Sequence, residues 1–220
     1  ACLLTDQPIL LRNVPAIRDV EMMGKLVQDL GATVEVLEPG VWRVQAADVR
    51  KVTLSAELCR SIRASVVLAG PMLARAGQVV LPPPGGDVIG RRRLDTHFLA
   101  LEALGAEFRA NGNFDLRAPA TGLRGCHILL DEASVTATEN AVMAAVLAKG
   151  STVLRNAACE PHVQELCAFL NRLGARISGI GSNQLTNEGV EQLGRGQFTI
   201  GPDYLEIVSI IGAAAVTRGN

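Results

Sequence analysis

The feature that most constrains the fold of this chain is the tripeptide Leu-Gly-Ala, which recurs three times at a nearly constant interval. The copies begin at Leu30, Leu104 and Leu173, so they lie about 70 residues apart. Each copy ends a segment with apolar residues at helical spacing, and glycine at such a point is typical of the residue that follows a helix C-terminus. A repeat of this length predicts several copies of one supersecondary unit, which stack on one another to bury a core.

A second marker runs in phase with the first. Glycine follows a basic or small residue at Gly77, Gly150 and Gly219, again at the end of a helical pattern. Short β-rich runs, residues 79–81 and 152–154, come after the first two of these glycines, and further β segments follow each Leu-Gly-Ala. Each unit is therefore predicted to run helix, strand, helix, hairpin. Three such units can close around a pseudo-threefold axis, with either the helices or the sheets inside.

Both ends of the chain are predicted to cut through units. The tripeptide Leu-Arg-Asn occurs at residues 11–13 and again, at the same phase, at residues 154–156. The first unit would then lack its opening helix. At the other end the chain stops at residues 219–220, where the pattern requires another strand and helix. The sequence therefore indicates a fragment of a larger repeat protein.

The composition is that of a folded domain and not of a nucleic-acid or membrane protein. Of 220 residues 48% are hydrophobic, and 21 Lys and Arg nearly cancel 22 Asp and Glu. This balance disfavours disorder and leaves no global field to attract nucleic acid or an anionic membrane. The longest apolar stretches, such as residues 141–148, are far too short to span a bilayer.

Cysteine and histidine usage favours the cytoplasm and offers no metal site. The five cysteines form no Cys-x-x-Cys pair and leave an odd count, which is typical of a reducing compartment. The three histidines, His97, His127 and His162, lie far apart, so no zinc-like ligand spacing occurs.

Residues 81–97, which read LPPPGGDVIGRRRLDTH, are the least repeat-like part of the chain. Prolines stiffen one side and glycines loosen the other, a composition that suits a loop able to close over a site as a lid. The arginines at 91–93 would attract a multiply charged anion, an unusual choice for a helix start, because the helix dipole favours negative charge there. A solvated surface loop with a run of charge is the alternative, and the sequence leaves both open.

Two further positions allow both a structural and a functional interpretation. Thr136 and Glu139 fit a capping box before an apolar helix at 140–148, whereas exposed amides at the same helix start could hold a phosphate. Arg63 lies in an apolar helical run, so its charge needs either a salt-bridge partner or solvent. The structural interpretation is the default for both.

Seven segments together resemble the UDP-N-acetylglucosamine enolpyruvyl transferase family, which is related to 5-enolpyruvylshikimate-3-phosphate synthase. The motif of residues 85–97, GGDxIGxRxLDxH, is specific to that family, and the resemblance runs essentially from end to end. The matching segments are residues 9–15, 30–32, 62–65, 70–71, 81–97, 134–140 and 200–206.

The resemblance implies an α/β fold of a particular kind. Members of the family consist of two inside-out α/β barrels, each built from three βαβαββ units with pseudo-threefold symmetry, which agrees with the three units counted above. By this resemblance residues 1–201 form the domain that carries the substrate loop, with its first unit truncated. Residues 202–220 begin a second domain whose remainder is absent.

The resemblance also implies a reaction. The family moves the enolpyruvyl group of phosphoenolpyruvate to the 3′-hydroxyl of UDP-N-acetylglucosamine, the first committed step of peptidoglycan synthesis. Addition and elimination release phosphate without a metal or other cofactor, so charge neutralisation and proton transfer do the work. The expected partners are the two small molecules and the missing second domain, with no nucleic acid and no membrane. The family's Lys-Asn pair would precede Ala1 and its aspartate base belongs to the second domain, so this chain alone is expected to be inactive.

Matched residue by residue, the resemblance implies two catalytic side chains. Arg92 resembles the loop arginine that clamps the phosphate of phosphoenolpyruvate. Asp87 stands where most members have a cysteine, which is credited with protonating the methylene carbon or aiding product release and which fosfomycin alkylates. A carboxylic acid can donate that proton if loop closure desolvates it and raises its pKa. The implied substrate-binding residues are Arg63 at the nucleotide-sugar site, Leu94, Asp95 and His97 around the uracil, and Ser134, Val135 and Thr136 at the helix start that receives the diphosphate.

The chain departs from the family's pattern at the diphosphate contacts. Glu132 replaces a lysine of some members, Thr136 replaces a glycine and Arg93 replaces a proline. A shortened, non-catalytic homologue that binds a UDP-sugar or a partner protein is the alternative function. The shikimate relative is disfavoured by the motif of residues 85–97.

Overall fold

A computed structural model describes residues 1–86 and 93–219 of the chain, so residues 87–92 and 220 lie outside the described part. Two short 3-10 helices span Cys2–Leu4 and Arg63–Leu68. The α-helices of the described part are α1 (Arg18–Asp29), α2 (Ala56–Ser61), α3 (Ala69–Ala76), α4 (Asp95–Ala103), α5 (Val135–Ala145), α6 (Pro161–Arg172) and α7 (Tyr204–Thr217). The strands are β1 (Ile9–Arg12), β2 (Thr33–Glu38), β3 (Val41–Gln45), β4 (Gln78–Leu81), β5 (Glu107–Ala110), β6 (Phe114–Arg117), β7 (His127–Leu129), β8 (Ser151–Arg155), β9 (Arg176–Ser178), β10 (Gln184–Glu188) and β11 (Gly196–Thr199).

These strands form three sheets that share one pattern of order and direction. In the sheet β11-β1-β3-β2, the first pair is parallel and the other two pairs are antiparallel. The sheet β7-β8-β10-β9 repeats this arrangement. In β4-β6-β5 both pairs are antiparallel, and a parallel bridge from Thr53 to Val80 stands where the outer parallel strand would lie. The order helix, strand, helix, hairpin is confirmed for α3–β6 and for α5–β10.

The glycines of the Leu-Gly-Ala tripeptides end helices as predicted. Gly31, Gly105 and Gly174 follow the C-caps of α1, α4 and α6 at φ values of 107°, 98° and 108°. Glycine reaches this left-handed region without the steric cost that a Cβ brings. The first marker of the repeat is therefore a helix stop.

The second marker is correct at Gly77, the left-handed C-cap of α3, and at Gly219, which follows the left-handed C-cap of α7, but it is wrong at Gly150. Helix α5 begins at Val135 and ends at Ala145, so the helix predicted at 140–148 is displaced. The chain leaves the helix because its next residues pair with another segment: Lys149 N–H donates to Leu123 O at 2.9 Å, and Gly125 N–H donates to Lys149 O at 2.8 Å.

The two Leu-Arg-Asn tripeptides play the same structural role. Asn13 and Asn156 both follow a strand and both adopt φ of 57°, a conformation that asparagine tolerates better than most residues. The side-chain amide of Asn13 donates to Ile200 O at 2.8 Å, and that of Asn156 donates to Leu130 O at 2.9 Å. Each acceptor follows the parallel neighbour of the preceding strand, so the shared tripeptide fixes the end of a parallel pair in two sheets.

Helices α3 and α5 contribute many of the buried residues. Eight residues of α5 and five of α3 are buried, whereas β8 and β10 alternate buried and exposed positions. Fully buried small residues such as Ala69 and Ala144 allow the helices to lie close together.

Helix α7 differs from the others in having no buried residue. Leu205, Val208, Ile210, Ile211 and Val216 are each more than half exposed. No helix in the part of the chain that the structure describes is both long enough and apolar enough to cross a membrane. All five cysteines are free thiols.

Candidate functional site

A cleft of about 370 Å³ opens where four segments of the chain meet. Arg18 and Asp19 from the start of α1 line one side, and Arg63 begins the 3-10 helix on another. Thr136 in the first turn of α5 and Gly86, directly before residues 87–92, also line it. Two residues proposed from the resemblance, Arg63 and Thr136, thus face the same cavity.

The loop entrance is packed tightly against its surroundings. Gly85 N–H donates to Cys59 O at 2.8 Å, and a Cβ on Gly85 would overlap the carbonyl of Arg60. Gly86 has φ of 88°, and a Cβ there would lie 3.1 Å from backbone and side-chain atoms of Arg63. Glycine is required at both positions for different reasons, close approach in the first case and left-handed conformation in the second. The catalytic residues predicted from the sequence, Asp87 and Arg92, follow directly and lie outside the described residues.

The loop exit is held by Arg93 and two carboxylates. The guanidinium of Arg93 lies 2.7 Å from Asp95 and 2.6 Å from Asp131, and Thr96 donates to the other oxygen of Asp131 at 2.7 Å. The bond from Arg93 lowers the pKa of Asp95, and the bonds from Thr96 and then Arg93 lower that of Asp131. Arg63 donates to Arg93 O at 3.2 Å, which joins the loop exit to the cleft. Arg93 therefore forms ion pairs with two carboxylates. The sequence suggests instead that the arginines at 91–93 together attract a multiply charged anion.

The start of α5 is capped by Ser134, so the predicted capping box is wrong. Ser134 Oγ accepts from Ala137 N–H at 3.4 Å, while Thr136 is already the second residue of the helix. Among the residues that the structure describes, the backbone N–H groups of Val135 and Thr136 have no acceptor. Glu139 does not reach back to the cap. Burial raises its pKa to about 7.

His97 lies beneath this helix start and is 2% exposed. Its Nδ1 lies 2.8 Å from Asn140 Nδ2, and its Nε2 lies 3.1 Å from Thr136 Oγ1. Burial, with a smaller effect from the charge of Arg63, lowers the pKa of His97 to about 4, so the ring is neutral near pH 7. Both ring nitrogens are engaged within the fold, and the side chain reaches the cleft only through Thr136.

The remaining predicted residues of the described part do not line the cleft but are neighbours in sequence of residues at it or at the loop exit. Ser134 and Val135 belong to the helix start beside Thr136, and Leu94 and Asp95 form the start of α4, next to Arg93. Arg18 and Asp19 were missed by sequence reasoning. The only signal they carry is an acidic residue in the first turn of a helix, which the helix dipole alone explains.

The fold and this cleft agree with one class of enzyme, the carboxyvinyl transferases. The model of the EPSP synthase (3-phosphoshikimate 1-carboxyvinyltransferase) family matches residues 1–220, and the chain belongs to that family.

The curated relatives are named UDP-N-acetylglucosamine 1-carboxyvinyltransferase. The chain is 56% identical to one from Treponema denticola over 220 residues, which is 100% of this chain and 51% of the relative. It is 55% identical to one from Bradyrhizobium diazoefficiens over 218 residues, 99% of this chain and 50% of the relative. The chain thus spans about half the length of the curated relatives it matches.

Solved structures support the fold at low sequence identity. The enolpyruvyl transferase NikO from Streptomyces tendae has a TM-score of 0.81 at 23% identity and covers 97% of this chain, which matches 50% of NikO. EPSP synthase from Acinetobacter baumannii has a TM-score of 0.69 at 16% identity, with 90% of this chain and 45% of that chain covered. The mixed α/β architecture is therefore that of the enolpyruvyl transferases.

Proposed function

We propose that this chain is the substrate-loop half of a UDP-N-acetylglucosamine 1-carboxyvinyltransferase. The enzyme transfers the enolpyruvyl group of phosphoenolpyruvate to the 3′-hydroxyl of UDP-N-acetylglucosamine and so commits the amino sugar to peptidoglycan synthesis. The observation that carries the proposal is the convergence of Arg63, Thr136 and the loop entrance on one cleft. Identity of 56% across the whole chain to a relative of that name supports the choice of substrate.

The cleft has the chemistry to hold a nucleotide diphosphate. Unpaired amides in the first turn of a helix attract anions, because the helix dipole adds to the free N–H groups. Within the described residues the N–H groups of Val135 and Thr136 have no acceptor, and Thr136 and the positively charged Arg63 line the same cavity. Ser134 completes the helix start. Leu94 and Asp95 are proposed to border the uracil, with His97 behind them.

The chemical step is proposed to depend on the loop. Arg92 neutralises the phosphate of phosphoenolpyruvate, and Asp87 delivers a proton to the methylene carbon, both by resemblance to the family. Addition and elimination then proceed by proton transfer and charge neutralisation, without a metal or other cofactor. The anchored loop entrance at Gly85 and the ion pairs of Arg93 at the exit support a loop held at both ends beside the cleft.

The chain is proposed to divide at residue 202. Residues 1–201 form an inside-out barrel of three units around a pseudo-threefold axis, which is supported by three sheets with one strand pattern and by the buried helices. Residues 202–220 begin a second domain. Helix α7, apolar and without a buried residue, supports this division because such a face requires a covering partner. The free cysteines and balanced charge support a cytoplasmic enzyme with no nucleic acid or membrane partner.

The test is an assay on the protein in its natural length. Phosphate release from phosphoenolpyruvate is followed with UDP-N-acetylglucosamine or with 3-phosphoshikimate as the acceptor. The proposal expects turnover with the nucleotide sugar only, and none by the 220-residue chain alone, because by resemblance the family's Lys-Asn pair and aspartate base lie outside these residues. Turnover with 3-phosphoshikimate only, or turnover by the isolated chain, would show that the assignment is wrong.

A further inference from the structure

The buried side chains beneath the cleft leave only one arrangement of their hydrogen atoms. Asn140 is fully buried, and its Oδ1 accepts from Gly70 N–H at 2.8 Å. Its Nδ2 lies 2.9 Å from Val66 O and 2.8 Å from His97 Nδ1. A backbone N–H can only donate and a carbonyl oxygen can only accept, so the two backbone groups fix which atom of the amide is oxygen and which is nitrogen.

The orientation of Asn140 determines the tautomer of His97. One hydrogen of the Asn140 amide is used by Val66 O, and the other points to His97 Nδ1, which must therefore accept. A neutral imidazole that accepts at Nδ1 carries its proton on Nε2. The Nε2–H group then donates to Thr136 Oγ1, which lies 3.1 Å away.

The tautomer of His97 in turn determines the hydrogen-bonding role of the Thr136 hydroxyl. A hydroxyl that accepts one hydrogen bond still has its own hydrogen to donate. Among the residues described in the structure, none accepts that hydrogen, and Thr136 lines the cleft beside Arg63. The hydrogen bonds that link Gly70, Asn140, His97 and Thr136 thus leave the Thr136 hydroxyl able to donate to a ligand in the cleft.

We propose that Thr136 donates a hydrogen bond to a phosphate oxygen of the bound nucleotide diphosphate, and that His97 and Asn140 are positioning residues that hold the hydroxyl in the donating state. This inference rests on the proposed function. It assigns the side chain of Thr136 a contact of its own, separate from that of the backbone amides at the same helix start. It also gives His97 an indirect role in ligand binding, in keeping with its burial.

The acceptor is expected to be anionic because of its neighbours. Arg63 lies on the same cavity, and the N–H groups of Val135 and Thr136 are unpaired among the described residues. Arg63 and Thr136 both line the cavity, and a guanidinium, a hydroxyl and a helix-start amide at one place suit an oxygen with several lone pairs and negative charge.

The experiment measures UDP-N-acetylglucosamine binding by calorimetry on the protein in its natural length. Thr136→Val removes the hydroxyl but keeps the side-chain shape, and Thr136→Ser retains the hydroxyl. We expect Thr136→Val to weaken binding about ten- to a hundred-fold, the loss typical of a hydrogen bond to a charged group, and Thr136→Ser to stay within about threefold of the wild type. Thr186→Val, on strand β10 and not part of the cleft lining, is the matched control and should bind like the wild type.

Two measurements test the role of His97: the additivity of its substitution with that of Thr136, and the tautomer of its ring. If His97 acts through Thr136, His97→Gln should weaken binding in the wild type but have little further effect in Thr136→Val, a non-additivity that a purely structural role would not produce. In ¹⁵N-histidine-labelled protein, NMR should place the His97 proton on Nε2, and this readout does not depend on how well any variant folds.

Two results separate this inference from the proposed function. If the wild type does not bind UDP-N-acetylglucosamine, both are overturned. If it binds but Thr136→Val binds equally well, or the proton of His97 lies on Nδ1, the inference alone is overturned and the proposed function stands.

Discussion

Asn140 donates its side-chain amide to Nδ1 of His97 at 2.8 Å, and neither residue is more than 2% exposed. The contact joins α5 to α4 in the interior, where the helices meet beneath the cleft. Because Asn140 also binds Gly70 and Val66, the same side chain ties the 3-10 helix and α3 to the site. The position of the site therefore depends on buried polar groups that have few alternative partners.

The first prediction concerns this network. Asn140→Ala leaves the N–H of Gly70, the carbonyl of Val66 and the ring of His97 without their partner, so the free energy of unfolding should fall by about 3–5 kcal/mol. Asn187→Ala is the matched control. Asn187 is also buried but makes one bond, to Val142 O at 3.2 Å, and its Oδ1 is unpaired within the described residues, so its loss should cost about 1 kcal/mol. Urea denaturation measures both, and equal losses would contradict the account.

The second prediction concerns the loop entrance. A Cβ on Gly85 would overlap the carbonyl of Arg60, so in Gly85→Ala the backbone must shift at this point, close to the predicted catalytic residues. We expect kcat/KM of the protein in its natural length to fall at least about tenfold, since small displacements of positioning groups are costly in catalysis. Gly194→Ala should be tolerated, because the added Cβ would make only an ordinary contact at 3.6 Å with Leu173 O. Unchanged kinetics in Gly85→Ala would show that the entrance does not position the loop.

The third prediction concerns pH and Glu139. Burial raises the pKa of this carboxyl from 4.5 to about 7, so between those values the unfolded chain binds fewer protons than the folded chain. Stability should therefore fall as pH rises from about 4.5 to about 7, and the contribution of Glu139 should reach about 3 kcal/mol at most.

Glu139→Gln tests this dependence. The free energy of unfolding of the variant should fall much less between pH 4 and pH 8 than that of the wild type. At pH 8 the variant should be the more stable protein, as measured by denaturation at both pH values. Glu132→Gln, an exposed position before the same helix, is the control and should leave the pH profile as it is. A wild type and Glu139→Gln with parallel profiles would rule out a buried carboxyl at this position.

The fourth prediction concerns Asp87, which lies outside the described residues. By resemblance to the family, fosfomycin inactivates members by alkylation of the cysteine at this position. A carboxylate is a poorer nucleophile than a thiolate and, if its pKa is raised as an acid catalyst requires, it is partly protonated and weaker still. The protein in its natural length should therefore turn over in the presence of fosfomycin, and Asp87→Cys should become inactivated with time.

A preincubation assay measures both proteins together with Asp87→Ala. The alanine variant should lose most activity, because no proton donor remains at that position. Rapid irreversible inhibition of the unmodified protein, or full activity in Asp87→Ala, would show that Asp87 has been given the wrong role.

Local sequence signals predicted the helix ends and the element order well. Glycine after an apolar helical segment has a direct steric meaning, so Gly31, Gly105 and Gly174 could be placed without a structure. The tripeptide that ends at Asn13 and Asn156 recurs because one backbone conformation and one side-chain bond are needed twice. For the glycines the cause lies within a few residues of its effect, whereas the side-chain bonds of Asn13 and Asn156 reach carbonyls 187 and 26 residues away.

Where the deciding contact is distant in sequence, the prediction was wrong or incomplete. Helix α5 ends early because Lys149 pairs with the segment around Leu123, and Thr136 binds His97 and leaves capping to Ser134. Arg18 and Asp19 line the cleft only through tertiary packing and carry no motif of their own. These contacts join segments that no local pattern connects.

The central claim is that the cleft beside Arg63 is the nucleotide-diphosphate site. It is tested most directly by calorimetric titration of UDP-N-acetylglucosamine into the protein in its natural length and into Arg63→Gln. Loss of the positive charge should weaken binding about tenfold or more, whereas Arg176→Gln, on the exposed strand β9, should bind like the wild type. Equal affinity of Arg63→Gln and the wild type would contradict the account.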